Sequence, residues 1–236
     1  MGFITYQCFV FRLRREEFIN YLKANRFNVF TINDASGILR KSPKYASERL
    51  STMRDVLRIE RGIYCLEGTS IYAVASAIIS PSYVSLISAY AFHELTTQLP
   101  SEIQVISSRQ HSSLHFDGFR IRFIRLPRQR MFGFSRLDGG MIADPEKAIV
   151  DSIYLNIFVE ETKEVLQENH EQLESAKIIE YAHLMKSRAT LNKIGFLLEK
   201  CGYNTESISP IRSGRFVKLG DNPGQRDNKW KVIYAD

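Results

Sequence analysis

The sequence predicts an α+β fold in two parts, a small N-terminal domain over residues 1–68 and a larger mixed α/β domain over residues 69–236. Three observations lead to this prediction. Apolar residues recur at helical spacing in the first part, and two β-prone stretches around a glycine follow them. The second part changes repeatedly between helical spacing and strand-like alternation. Between the two parts, Glu67–Ser70 has the composition of a short linker.

Composition indicates a soluble globular chain. Of the 236 residues, 44% are hydrophobic and 25% are charged, which is ordinary for a folded protein. No stretch approaches the roughly 18 apolar residues that a membrane-spanning helix needs. The apolar run Phe3–Phe11 lacks a preceding basic residue and a cleavage site, so we interpret it as a strand or packed arm and not as a signal peptide. We therefore expect no membrane contact and a cytoplasmic location.

Cysteine spacing and net charge narrow the possible functions. Cys8, Cys65 and Cys201 are far apart and form no C-x-x-C pair, which argues against a disulfide framework or a zinc site. The net charge of +6 and the pI of about 9.2 are compatible with nucleic-acid binding. The total charge does not say where the binding surface lies.

Three helices are predicted in the first part. Arg14–Lys23 has an amphipathic pattern. Thr31, with Asp34 in the first turn, caps a second short helix. Ser42 caps the third helix, which has Pro43 at its first position and which we expect to continue to Leu57.

The third predicted helix has an aliphatic stripe and a polar face. The stripe must face a core, and it consists of Ala46, Leu50, Met53 and Leu57. The polar face consists of Lys44, Glu48, Ser51 and Asp55, flanked by Tyr45, Ser47 and Thr52, with Arg49 and Arg54 near its edges. Short polar side chains and a lysine near the helix start suit the major groove of DNA.

A hairpin is predicted directly after this helix, because Leu57–Glu60 and Ile63–Leu66 are β-prone and Arg61-Gly62 supplies the turn. Two helices, a capped basic helix and a hairpin in this order predict a winged helix-turn-helix that binds nucleic acid, with Arg61 near a phosphate or the minor groove. Two other interpretations stay open. One is a winged helix used only for protein contacts, and the other is a packing unit whose polar face is simply solvated.

The predicted DNA-binding residues form two groups. Base edges are expected to be read by Lys44, Tyr45, Ser47, Glu48 and Ser51. Phosphates are expected to be held by Lys41, Arg49, Arg54 and Arg61, with the capping residue Ser42 between the groups.

The second part alternates helices and strands. Helices are expected at Ile71–Ile79 (broken at Ser80-Pro81-Ser82), Ser85–Leu95, Asp144–Leu155, Leu173–Met185 and Ser187–Lys200. Strands are expected at Glu102–Ser107, on both sides of the Asp117-Gly118 turn, at Met131–Phe134 and Gly140–Ile142, and twice between Arg215 and Tyr234.

Four segments occur in an order and spacing that extend over nearly the whole chain: Arg61–Tyr64, Ser82–Ala89, Pro145–Ala148 with Asp151, and Trp230–Val232. In these segments the chain resembles the AbiEi family of antitoxins from type IV toxin–antitoxin systems. The resemblance implies an autorepressor that binds double-stranded DNA at its own promoter, forms homo-oligomers there and counteracts a nucleotidyltransferase-like toxin. It implies no catalysed reaction and no cofactor. The run Phe3–Phe11 departs from the family pattern.

Enzymatic interpretations rest on weaker patterns. His111 and His115 are four residues apart, but they lie in a predicted loop and strand, where that spacing does not bring two metal ligands together. Asp144, Glu146 and Lys147 are the residue types of a metal-dependent nuclease, yet they are adjacent at a helix start, where capping explains the acids. We expect no catalytic or metal-binding residues. A stand-alone, ligand-sensing regulator without a toxin is the second hypothesis, and a nuclease is the third.

Two further basic clusters lie in the second part. The first contains Arg120, Arg122, Arg125, Arg128 and Arg130, and the second contains Arg212, Arg215, Lys218, Arg226, Lys229 and Lys231. Each is either a solvated sheet face or a contact surface for an acidic toxin, for nucleotide or RNA bound to the toxin, or for flanking DNA. The AbiEi resemblance favours the toxin.

Overall fold

The computed structural model describes residues 14–98, 100–211, 215–221 and 224–235. The expected arm Phe3–Phe11 and Cys8 lie outside these residues. The chain divides into two compact units, Met1–Val74 and Ala75–Asp236, which we call unit 1 and unit 2. Helices and strands occur in both units, in agreement with the α+β prediction. Across the described ranges, no helix combines the length and apolar character needed to cross a membrane.

Residues 14–66 of unit 1 contain three helices beside a three-stranded antiparallel sheet in the order β1-β3-β2. Its elements in chain order are α1 (Arg15–Ala24), β1 (Val29–Thr31), α2 (Ile32–Leu39), α3 (Pro43–Leu50), β2 (Val56–Glu60) and β3 (Ile63–Leu66). Strand β1 was not expected, because three residues are too few to show alternation. It forms through a long-range contact in which Phe30 lies opposite Tyr64, with the two rings stacked 6.0 Å apart.

The start of α2 follows the local capping signal in the sequence. The Thr31 hydroxyl accepts a hydrogen bond from the Asp34 backbone N–H at 3.2 Å, and the Asp34 carboxylate accepts one from the Thr31 N–H at 2.7 Å. This reciprocal arrangement satisfies two backbone donors that the first turn of a helix leaves unpaired. The helix then buries Ala35 and Leu39 against Phe18, Leu22 and other core residues of unit 1.

The expected extent of the third helix is wrong. Helix α3 ends at Leu50, where the Ser51 and Thr52 hydroxyls donate to the carbonyls of Glu48 and Arg49. Short hydroxyl side chains near a helix end compete in this way for its last backbone acceptors. Leu57, expected on the buried stripe, belongs to β2 and is 38% exposed, because pairing with β3 decides the conformation of this segment.

Unit 2 is built around a mixed six-stranded sheet. Its elements, with α4 containing the division between the units, are α4 (Ile71–Ala77), β4 (Ser82–Val84), α5 (Leu86–Phe92), β5 (Glu102–Ser107), β6 (Leu114–Phe116), β7 (Phe119–Arg125), β8 (Phe134–Leu137), β9 (Gly140–Ala143), α6 (Pro145–Leu155), α7 (Val159–Glu168), α8 (Ser175–Leu184), α9 (Arg188–Lys200), β10 (Val217–Lys218), β11 (Gln225–Asp227) and β12 (Val232–Tyr234). The large sheet has the order β6-β7-β5-β4-β9-β8, and a small sheet has the order β10-β12-β11.

Several predictions for unit 2 are confirmed. Strand β5 has the expected bounds, and the Asp117-Gly118 turn joins β6 to β7 with positive φ at both residues, as a tight hairpin requires.

Strand β4 was missed by the sequence analysis. It lies in the middle of the large sheet, at the place where only a helix break was expected. Helix α5 ends at Phe92 instead of Leu95, and the described residues of the C-terminal tail form three short strands instead of two.

Trp230 fixes the small sheet against α9. Its side chain is 2% exposed, and its Nε1–H donates to the Glu199 carboxylate at 2.7 Å. The indole ring lies so close to Gly195 that a Cβ added there would be only 2.1 Å from a ring carbon. The absence of a side chain at Gly195 therefore permits this contact.

A buried ion pair lies at the start of α6. Lys147 and Asp151, one helical turn apart, are both 0% exposed, and the Lys147 ammonium contacts the Asp151 carboxylate. The other Asp151 oxygen accepts hydrogen bonds from the Tyr83 and Ser85 hydroxyls, each at 2.9 Å. Ser85 precedes α5, but its hydroxyl is used here and does not cap that helix. Burial lowers the pKa of Lys147, and the Asp151 carboxylate opposes that shift.

Asp144, expected to cap α6, makes no side-chain cap and has other partners. Its carboxylate accepts a hydrogen bond from the Tyr181 hydroxyl at 2.7 Å and lies 3.3 Å from the Lys177 ammonium. Lys177 also contacts the buried Glu146 at 3.0 Å. The acids at the start of α6 therefore connect this helix to α8.

Replacing Asp151 with asparagine is expected to destabilise the protein by about 3–5 kcal/mol, because the buried Lys147 ammonium loses its counter-ion. Urea unfolding measures this loss in the free energy of unfolding. The control is K147M/D151N, which removes both charges and keeps an amide oxygen for Tyr83 and Ser85. It should be clearly more stable than D151N. Equal stability of the two variants would mean that the uncompensated charge is not the cause.

Lys193 provides a pH-dependent test. It is 7% exposed, donates to the Asn156 side-chain oxygen at 2.5 Å, and has its pKa lowered by burial to about 8. Between pH 8 and its ordinary value of 10.5, the unfolded chain holds the proton more tightly than the folded chain, so stability should rise with pH. Urea unfolding should show a gain of up to about 3 kcal/mol over this window relative to K193M. K200M, at an exposed lysine of the same helix, should retain the wild-type slope.

Candidate nucleic-acid interface

Helix α3 presents polar side chains outward because its small and aliphatic residues are buried. The Ser42 hydroxyl accepts from the Tyr45 N–H at 3.3 Å, and Pro43 occupies the first helical position, as predicted. Ala46 and Leu50 are 0% and 2% exposed. The residues of α3 that are exposed on the other side are Lys44, Ser47 and Glu48.

The β2–β3 hairpin ends in a turn that depends on Gly62. Its φ of +82° lies in the region that favours glycine, and the neighbouring Arg61 is exposed at the tip. The register of the hairpin shifts between Arg58 and Glu60, and the Arg58 guanidinium donates to the Glu60 carbonyl at 3.2 Å. This bond holds the Nε atom of the Arg58 guanidinium close to the tip of the hairpin.

An open depression joins α3 to the hairpin. It is lined by Ile32, Ser47, Arg58, Arg61, Gly62 and Tyr64. Ser47 and Arg61, which are separated in sequence, thus lie beside the same depression. Arg58 was not among the predicted site residues. The signal that could have identified it was its position as a basic residue three places before the turn, in a strand otherwise rich in aliphatic residues.

The other predicted residues have different surroundings. Lys41 is exposed in the turn between α2 and α3, and its carbonyl accepts from the Ser36 hydroxyl. Tyr45 and Arg49 are half-buried. The Ser51 hydroxyl is engaged by the helix backbone, as described above, so it is a poorer candidate for a base contact than its expected position suggested.

The segment after α3 is held by an ion pair. Arg54 is exposed, whereas the Asp55 carboxylate accepts from the Arg15 Nε–H at 2.9 Å. This hydrogen bond lowers the pKa of Asp55. Because α3 has already ended, Asp55 does not continue the polar face of the helix, which corrects the expected alignment of this residue with Lys44 and Glu48.

Charge in this region is predominantly positive. Between Arg40 and Arg61 the sequence contains seven basic and three acidic residues. One of the acids, Asp55, is neutralised by Arg15, which lies outside this segment. The exposed outer side of α3 and the hairpin tip therefore form a surface that attracts anions.

The first basic cluster of unit 2 does not form a single surface. Arg120 and Arg122 lie on one face of β7, and the Glu102 carboxylate contacts them at 3.3 and 3.6 Å. By strand alternation, Arg125 points to the other face. Arg128 and Arg130 belong to a 3₁₀ turn, where Arg130 donates to the Met185 carbonyl and lies over the Tyr154 ring.

Lys229, predicted as part of a partner surface, has a local role. Its ammonium contacts the Glu199 carboxylate at 2.6 Å and lies over the Trp230 ring. The same carboxylate receives the Trp230 indole N–H. Lys229 thus belongs to the group that fixes the small sheet to α9.

The residues considered for enzymatic chemistry are not gathered into an open site. Lys147 is fully buried with Asp151, while Asp144 and Glu146 contact Lys177. His111 packs against the Phe123 ring at 4.8 Å. Over the ranges that the structure describes, no three histidine, cysteine or acidic side chains are grouped closely enough to hold a metal ion.

No protein-family model matches the sequence, and no curated protein matches it. Among solved structures, the chain is similar to the RV2827C protein from Mycobacterium tuberculosis, with 14% sequence identity and a TM-score of 0.51. The likeness covers 92% of this chain and 89% of that one. At this level of identity, the comparison shows that the two proteins share an α+β fold.

Proposed function

We propose that unit 1 is a winged helix-turn-helix that binds double-stranded DNA, and that the protein is a transcriptional autorepressor and antitoxin. The observation that carries the DNA-binding proposal is the open depression lined by Ser47 of α3 and by Arg58 and Arg61 of the hairpin. A duplex offers base edges and phosphates. The Ser47 hydroxyl can hydrogen-bond to a base edge, and the two guanidinium groups of the hairpin can contact phosphates.

In this proposal α3 enters the major groove. Its exposed residues lie in the first two turns, which is the part of a recognition helix that reaches base edges. Glu48 would accept from the amino group of cytosine, and the Ser47 hydroxyl would contact either edge. Lys44 would donate to guanine acceptors. Buried Ala46 and Leu50 keep the opposite side of α3 fixed against its own core.

The hairpin tip would hold the sugar–phosphate backbone. Arg61 projects from a turn whose conformation Gly62 sets, and Arg58 lies beside it with its Nε–H already bonded to a carbonyl. That bond leaves the two terminal nitrogens of the Arg58 guanidinium to donate to phosphate oxygens. Lys41 and Arg54, both exposed on either side of α3, would add contacts that carry no sequence information.

The antitoxin part of the proposal rests on the AbiEi resemblance. Three of its four segments lie at largely buried positions of unit 2, where Tyr83 and Ser85 from one segment donate to Asp151 from the next. Trp230, from the last segment, packs on Gly195. These residues build a scaffold and not a reaction centre, which favours a protein that acts by binding. Its proposed partners are its own promoter, a nucleotidyltransferase-like toxin and further copies of itself on DNA.

Replacing Arg61 with alanine should weaken binding to every duplex and reduce the salt dependence of log K by about one unit, because one phosphate contact is lost. Replacing Ser47 with alanine should instead relax discrimination at one base position and leave the salt dependence unchanged. Fluorescence anisotropy against the chain's own promoter and a scrambled duplex, at several salt concentrations, measures both effects.

K23A is the matched control for this experiment. It removes one exposed cation from α1, outside α3 and the hairpin. It should bind both duplexes like the wild type. If R61A and S47A change affinity and salt dependence in the same way, or if K23A weakens binding as much as R61A, the proposed orientation of unit 1 on DNA is wrong.

If this chain is encoded beside a nucleotidyltransferase-like toxin and is its antitoxin, it should restore the growth of cells that express that toxin. The double variant K44A/R61A should still restore growth while losing repression, since neutralisation is assigned to unit 2. Growth curves and a promoter–reporter assay measure the two effects separately. Repression without any growth rescue would reject the antitoxin function and leave the alternative of a stand-alone transcriptional regulator.

A further inference from the structure

The small C-terminal sheet has one face that packs inward and one that is positively charged. Val232 is 0% exposed on the inner face. The registers place Lys218 and Arg226 on either side of Ile233, so these three side chains share the outer face. Phe216 precedes β10 and Lys231 precedes β12 on the same side. We call this outer face, formed by Phe216, Lys218, Arg226, Lys231 and Ile233, the C-terminal basic face.

Two cations of this face gather on one aromatic ring. The Arg226 guanidinium carbon is 5.4 Å from the centre of the Phe216 ring, and the Lys231 ammonium is 5.0 Å from it. Cation–π attraction of this kind holds both groups near the ring. Two like charges so placed also repel each other, and a bound anion between or beside them would relieve that repulsion.

The charges of this face are not neutralised within the described part of the chain. No carboxylate among those residues forms an ion pair with Lys218, Arg226 or Lys231. This differs from Lys229, which lies two residues before Lys231 in sequence but is paired with Glu199. Lys218 and Arg226 are exposed, so an anion in solution can reach them.

We infer that the C-terminal basic face binds single-stranded nucleic acid. Three cations supply contacts to phosphates, and arginine on an aromatic ring supplies a flat surface on which an unpaired base can stack. A duplex keeps its bases stacked internally and would use only the cations, whereas a single strand uses the ring and the guanidinium as well. The inference concerns unit 2 alone and does not depend on duplex binding by unit 1.

The face is held in place by the fold, which favours a preformed site. Trp230 fixes the turn before Lys231 against α9, and the Tyr234 hydroxyl donates to the Gln225 side chain at 2.8 Å across β12 and β11. Ile233 lies between Lys218 and Arg226 and is half-buried. Binding would therefore order a few side chains and leave the backbone as it is.

The test compares K218A/R226A/K231A with R120A/R122A/R125A in the full chain. The control removes the same number of charges from β7, where Glu102 already contacts Arg120 and Arg122. Fluorescence anisotropy with labelled, unstructured single-stranded RNA, and with DNA of the same sequence, measures affinity at several salt concentrations. Both sets are also made in the K44A/R61A background, so that contacts from unit 1 do not conceal those from unit 2.

The triple variant of the basic face should bind either single strand at least about tenfold more weakly, and its salt slope should fall by about two, since each phosphate contact contributes about 0.7. The β7 control should remain within about twofold of the wild type. Equal weakening of both sets, or no weakening of the first, overturns the inference. Binding of RNA but not DNA, or the reverse, supports it and identifies the strand type.

F216L tests the stacking surface while keeping an apolar side chain at this position. It should weaken single-strand binding by at least about fivefold without changing the salt slope. If F216L binds RNA like the wild type and poly-L-glutamate binds as tightly as RNA does, the face recognises acidic protein and the inference is wrong. Should the triple variant fail to fold, K218Q and R226Q at exposed positions make the same test, each expected to lower the slope by about 0.7.

Discussion

The ion pair between Lys147 and Asp151 connects the central strand of unit 2 to its helices. Both side chains are fully buried, and removing two charges from water costs several kcal/mol for each ion. That cost is offset only when every partner is present. Tyr83 from β4 and Ser85 before α5 both donate to Asp151, while the Phe132 ring lies 4.6 Å from the Lys147 ammonium. Through these contacts, Asp151 connects β4 and the residue before α5 to α6.

Charged side chains have different surroundings in the two units. In unit 2, Lys147 and Lys177 pair with acids of or beside α6, and Glu199 of α9 pairs with Lys229, so these charges are compensated within the fold. In unit 1, a small apolar core of helices and sheet needs few internal charges, and the exposed side of α3 and the hairpin tip keep theirs. A surface that binds anions therefore consists of charged residues that are not already paired within the fold.

This distinction explains why the basic residues of the chain are not equally available to an anionic partner. Arg120 and Arg122 contact Glu102, and Lys229 contacts Glu199, so these cations are largely compensated. Among the residues that the structure describes, no carboxylate pairs with Lys218, Arg226 or Lys231, which share a face. All of them contribute equally to the net charge of +6. Net charge thus indicates that an anionic partner is plausible, whereas local pairing determines where such a partner can bind.

The sequence by itself determined the local elements: the caps at Thr31 and Ser42, the turns at Gly62 and Asp117-Gly118, and the bounds of β5. These depend on residues within a few positions of one another, so a linear pattern records them. Only the tertiary structure decided that β1 and β4 are strands, that α3 ends at Leu50, and that Arg58 joins Ser47 and Arg61 beside one depression. Strands β1 and β4 depend on partners far away in sequence, β3 for β1 and β9 for β4. Helix α3 ends where the Ser51 and Thr52 hydroxyls bond its last carbonyls, a competition with the helix that the apolar spacing does not show. Pairing energy between distant segments outweighs local propensity, and no local pattern records it.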